Sequence, residues 1–133
     1  MRCALACFTL IAGSLFGQSF YLSGDVVPRK ETVELTIDPA RETFEGSVSI
    51  DIELKTGASV IWLNAKNLII DSASVEQGGK AHSAKVIPGS GERIGIDARL
   101  PSPGAATIRV AYRGRLDDKA LSGHYRCKVE GEW

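Results

Sequence analysis

Histidine, cysteine and methionine are scarce in this chain, with two, three and one copies among 133 residues. A catalytic zinc draws three side-chain ligands from His, Cys, Asp and Glu, and its HExxH form needs two histidines on one helical face. His82 and His124 stand 42 residues apart and HExxH is absent. A charge of one sign is also lacking, because 16 basic residues offset 16 acidic ones. Nucleic-acid binding leaves a basic excess, so no nucleic-acid partner is expected. No apolar run reaches the roughly 20 residues of a membrane helix, so no stable membrane span is expected. GxSxG, the P-loop and GxGxxG are missing as well. What remains is 44% hydrophobic and 24% charged, the balance of a globular chain and not of a disordered one. Its length suits one domain.

The first nineteen residues read as an address. Met1-Arg2 supplies a positive start, Cys3 to Phe16 is uncharged and mostly apolar, and Gly17-Gln18-Ser19 is a small-residue cleavage site. That is the layout of a secretory signal peptide, so residues 1–19 are expected to be removed and the protein exported, to a periplasm or the extracellular space. A buried N-terminal element and an uncleaved anchor are the alternatives. Cleavage there removes Cys3 and Cys7 and leaves Cys127 as the one cysteine of residues 20–133. A single cysteine forms no internal disulfide, so the core must hold the domain. For Cys127 three readings stand: a small buried hydrophobe, a partner for a cysteine elsewhere, and a catalytic thiol, for which no spacing supplies a histidine base.

The rest reads as β-structure. From Thr43 to Leu54, Phe44, Val48, Ile50, Ile52 and Leu54 share one face with Gly46, and Glu45, Ser47, Ser49, Asp51 and Glu53 share the other. A period of two marks a half-buried strand. Val33, Leu35 and Ile37 repeat it one strand earlier, and Asp38-Pro39 ends that strand. Val60-Ile61-Trp62-Leu63 is a continuous apolar burst, which predicts a strand covered on both sides. Leu68–Val75 is another strand, and Gly78-Gly79 turns it into one over Ala81–Ile87. Pro88 to Gly91 forms a turn, Ile94, Ile96 and Ala98 alternate, and Ala106–Arg113 follows with Ile108, Val110 and Tyr112 on one face. A last strand is expected within Leu121–Val129. Seven or eight short strands with turns between them, and no helical period, predict an all-β antiparallel sandwich or barrel.

Chemistry finds little purchase on this pattern. Asp51 and Glu53 lie on an outward face, where they solubilise the sheet. His82 and His124 sit in polar neighbourhoods, at a loop or strand edge. Trp62 and Phe44 are read as core, with an aromatic sugar platform as the alternative. A serine nucleophile would need a base and an orienting acid that no spacing proposes.

Several segments in order resemble the opening of aminopeptidase N-like zinc metallopeptidases. They are Val26-Val27-Pro28, Leu35-Thr36-Ile37-Asp38-Pro39, the F-x-G-x-V-x-I of Phe44–Ile50, and Ile61–Ile70, which follows I-x-L-N-A-x-x-L-x-I. Tyr112-Arg113-Gly114-Arg115-Leu116 is similar to the family's Y-x-G-x-L, and Gly123-His124-Tyr125-Arg126 to its G-x-Y-R. Two positions depart: Arg29-Lys30-Glu31 follow Pro28 where the family carries a tyrosine, and His124 replaces a larger apolar residue. The resemblance implies that residues 20–133 are the saddle-shaped N-terminal β-sandwich of such an enzyme, incomplete at the C-terminal end. It also implies a parent that removes N-terminal residues from peptides with a zinc held by HExxH and a downstream glutamate. Those elements lie beyond this region. No residue here is therefore expected to be catalytic, to bind a cofactor or to hold a metal. The implied partners are the catalytic domain of the same polypeptide and, through it, a peptide substrate. A free-standing secreted module that binds protein or carbohydrate is the alternative function.

Overall fold

The computed structural model describes residues 24–116. The expected signal peptide, Cys3, Cys7, His124, Cys127 and the strand within Leu121–Val129 lie outside them. Among the described residues eight strands and no helix follow one another: β1 (Val26–Thr36), β2 (Thr43–Leu54), β3 (Ala58–Asn64), β4 (Leu68–Gln77), β5 (Lys80–Ser83), β6 (Val86–Pro88), β7 (Arg93–Leu100) and β8 (Gly104–Arg115). They form a five-stranded sheet in the order β1-β2-β8-β4-β5 and a three-stranded sheet in the order β3-β7-β6. Every pairing is antiparallel. The all-β antiparallel architecture read from the alternation is the one observed.

The two sheets share one core. Ile52, Leu54, Ala73, Val75, Ala106, Ile108 and Val110 come from the larger sheet, and Ile61, Ile96, Ala98 and Leu100 from the smaller. Each sits at an every-second position of its strand, which is why a period of two becomes a wall on one side and a wet face on the other. The β2–β8 ladder runs unbroken from Thr43↔Arg115 to Leu54↔Gly104 and forms the centre of the larger sheet.

Turn chemistry closes the strands as the residues dictate. Gly78 and Gly79 both have positive φ, 58° and 74°, and connect Gln77 to Lys80 in a two-residue hairpin turn that side chains would resist. After β1, Asp38 accepts a hydrogen bond from the Ala40 N–H at its Oδ1 (3.0 Å) and another from the Arg41 N–H at its backbone oxygen (2.9 Å). That local cap makes Asp38-Pro39 a strand end.

Three expectations need correction. Ala81–Ile87 is not one strand but two, β5 and β6, and they belong to different sheets. The Ala84 N–H donates to Ala73 O in the larger sheet (2.9 Å), while Lys85 O accepts from the Asp97 N–H in the smaller (2.9 Å). The chain thus changes sheets between two adjacent residues, at a corner of the sandwich. Second, the apolar burst at β3 is covered on one side only. Ile61 is buried, but Trp62 is 36% exposed and lies on the outer face, with the Arg93 guanidinium 5.7 Å from its ring centroid. Trp62 is therefore not core. Its ring spreads over Gly95 of β7, where an added Cβ would come within 3.1 Å of it. Third, Val33, Leu35 and Ile37 do alternate, yet they remain 49%, 41% and 45% exposed. The smaller sheet does not extend over that end of β1.

Candidate functional surfaces

The described residues offer faces rather than a catalytic cleft. The outer face of the larger sheet is a trough of small polar side chains. Two neighbouring rows of its ladder, Thr32↔Ser49↔Arg109↔Ser74 and Glu34↔Ser47↔Ala111↔Ser72, make its floor. These residues line an open depression of about 250 Å³. Cross-strand ion pairs stand beside it. Arg109 Nη1 donates to Glu76 Oε2 at 2.8 Å, and Arg113 grips Asp71 with both Nε and Nη2, at 2.6–3.0 Å. Asp71 is the extra residue of a bulge between Ile70 and Ser72. Its carboxyl is held below the usual carboxylate range, mainly by the Arg113 hydrogen bonds and then by its charge. Asp97 is lowered likewise by Arg99, which occupies a left-handed conformation (φ 49°) at a second bulge, in β7.

Four serines on this floor bring no nucleophilic chemistry. The one histidine among the described residues, His82, lies on the opposite side of the sheet, across from buried Val75. Its Nε2–H donates to Ala98 O at 2.9 Å and so ties β5 to β7. A base that is committed between the sheets does not reach a hydroxyl on the outer face. This agrees with the strand-edge reading of His82 and adds the inter-sheet bond, which no spacing could reveal. Asp51 and Glu53 point outward as expected, and Asp51 accepts a hydrogen bond from Thr107 Oγ1 at 2.8 Å. Among the described residues no three of His, Cys, Asp and Glu gather as a metal would require. His82 is spoken for and the paired carboxylates are spread over both sheets, so this donor set does not fit a zinc ion.

Two apolar surfaces complete the picture. A gap of about 60 Å³ opens at the side of the sandwich between β1–β2 and β3, lined by Val26, Pro28, Ile50, Ile52, Ile61 and Leu63 among others. The second is the uncovered strip Val33-Leu35 of β1 with Ile37 just past its end, which continues the inner face beside Tyr112. Among the described residues no helix is long and apolar enough to cross a membrane.

Beneath that strip lies a reciprocal device. Phe44 on β2 is paired with Gly114 on β8, and Gly46 on β2 with Tyr112 on β8. A Cβ on Gly114 would run into the Phe44 ring, and one on Gly46 would come within 2.7 Å of the Tyr112 ring. The two rings meet edge to face, with centroids 6.5 Å apart and planes at 85°. F-x-G and Y-x-G are thus the two halves of one antiparallel contact, each aromatic lying on the other strand's glycine.

Fold and surfaces together define a two-sheet antiparallel β-sandwich module whose described residues leave apolar side chains exposed and gather no metal-ligand set. Residues 27–132 match the peptidase M1 N-terminal domain, and the chain belongs to that family. It is 30% identical over 111 residues to aminopeptidase M1 of Arabidopsis thaliana, an alignment that covers 78% of this chain and 12% of that protein. Among solved structures it resembles an M1 zinc metallopeptidase from Deinococcus radiodurans, with 16% identity and a TM-score of 0.56 over 74% of this chain and 22% of that one. A two-domain M1 zinc metallopeptidase variant bound to L-arginine gives 18% identity and a TM-score of 0.56, over 77% and 22%. At such identities the likeness concerns the fold. The chain spans about an eighth of its curated relative and under a quarter of these structures.

Proposed function

We propose that this chain is the non-catalytic N-terminal domain of an exported, zinc-dependent aminopeptidase and works beside a separate zinc-binding catalytic domain of the same polypeptide. The observation that carries this reading is the family match across residues 27–132 in a chain that spans so small a part of a relative named as an aminopeptidase. The physical character of the surfaces supports it. Trp62, Ile69 and Val86 leave large apolar side chains exposed, as a module built to sit against other protein does. Export rests on the charged, apolar and small-residue sections of Met1–Ser19.

On this reading the domain contributes shape and not chemistry. Hydrolysis of the peptide belongs to the catalytic domain, where a zinc supplies the activated water. The residues here hold a rigid two-sheet body against which a cleft is formed. The test is direct. The purified chain, supplied with zinc, should hydrolyse aminoacyl p-nitroanilides no faster than the same sample with chelator. The coding frame of the parent should also carry HExxH with a downstream glutamate. Chelator-sensitive turnover by this chain alone, or a parent without that motif, overturns the proposal.

A further inference from the structure

We infer that the free edge of β1 is the seat of the chain's own segment Leu121–Val129, added as an antiparallel strand that covers the Val33-Leu35-Ile37 strip. β1 ends the larger sheet, and among the described residues nothing pairs with its outer side. An edge this long with exposed apolar side chains above it is a template for another strand. The route is set by β8, whose last described residue, Leu116, donates its N–H to Glu42 O at 2.8 Å. The chain therefore leaves the sheet at the end where β1 turns into β2. From the β8 position to the outer side of β1 is three strand spacings, about 14 Å. The steps from Leu116 to Leu121 span up to about 17 Å of extended chain, so Asp117–Ala120 suffices as the crossing. A chain returning from that end runs antiparallel to β1.

The segment has the pattern the seat requires. Leu121, Gly123, Tyr125, Cys127 and Val129 alternate with Ser122, His124, Arg126 and Lys128. Set on β1 with the first group inward, it extends the apolar strip. The second group then lies in water along the outward row of β1, beside Lys30, Thr32 and Glu34, so the apolar pattern and not charge selects this facing. The other register puts cations over Leu35 and tyrosine in water, so the period of two selects one facing.

Amide exchange and NOE spectroscopy on the full chain test this. The β1 amides that do not bond to β2 should be protected, and the Tyr125 ring should give NOEs to methyls of Val33 or Leu35. Tyr125→Asp should speed exchange of those amides by about tenfold or more, whereas His124→Asp leaves them unchanged. Should Tyr125→Asp unfold the whole chain, the NOEs of the unsubstituted protein still decide. Free exchange at the β1 edge, absent NOEs, or equal effects of the two substitutions overturns the inference. So does protection that grows with concentration alongside a sedimenting dimer, which would assign the edge to a second copy.

Discussion

At the scale of single residues, the paired glycines and aromatics of β2 and β8 explain why two short sequence patterns, far apart in the chain, resemble one family. Neither Gly46 nor Gly114 needs unusual backbone angles; each is a glycine because a ring of the facing strand occupies the space of a side chain. Gly114→Ala should therefore destabilise the fold by about 1–3 kcal/mol through overpacking against Phe44. The same change in a Phe44→Leu background should cost less, since the smaller side chain can withdraw. Urea unfolding of the four proteins closes that cycle, and equal costs in both backgrounds would refute the ring-on-glycine account. The bulge carboxylate Asp71 gives a second prediction. Its folded pKa is depressed below its unfolded value, first by the Arg113 hydrogen bonds. Its stabilising effect is thus present above the unfolded pKa, near 4, and is lost as pH falls through the folded value. Asp71→Asn should flatten part of the loss of urea midpoint between pH 7 and pH 3, with little change in the profile above pH 5. A variant profile parallel to the original throughout would show that the pair adds nothing. The pair is exposed, so the effect is modest and weakens with salt.

Among the strands, the change of sheet between β5 and β6 is where the sequence pattern misleads. Ala81 to Ile87 carries no glycine or proline, and its single weak turn-former, Ser83, does not announce a break. The break is written instead in partners: Ala84 bonds to β4 and Lys85 to β7. Ala84→Pro removes the N–H of the first of these bonds and should cost about 1–3 kcal/mol by leaving Ala73 O without its bond. Thermal or urea denaturation measures it, and an unchanged midpoint would mean the corner does not depend on that bond. The strands themselves were legible because alternation is a local property. Thr43–Leu54 matches β2 residue for residue, and Gly78-Gly79 falls on the observed hairpin. Coverage is not local. Trp62 belongs to an apolar burst, yet the wall that would bury it is absent from the described residues, and Val33 and Leu35 alternate faultlessly with none of the described residues covering them. The serine-lined trough was not legible, because it arises from four strands brought into register and has no signature in any one of them.

For the molecule as a whole, the shared core decides whether the two sheets are one cooperative unit. Ile108, at the centre of β8, is fully buried, as is Ile96 of β7 in the smaller sheet; both belong to the one cluster. Backbone ties across the corner and the His82 bond to Ala98 reinforce the same union. If the sheets stood alone, the three-stranded one, with an edge strand of only Val86–Pro88, would melt first. The structure instead implies a single transition. Trp62 reports on the smaller sheet from its outer face, and Trp133→Phe leaves it as the sole tryptophan of the chain. In that background the fluorescence and far-ultraviolet circular dichroism transitions should coincide. Ile108→Ala, a change in the larger sheet, should lower both midpoints together, by about 2–5 kcal/mol in stability. A fluorescence transition that stays in place while the dichroism transition moves would show two independent sheets. The smaller one would then be held by something other than the core it shares with β2, β4 and β8.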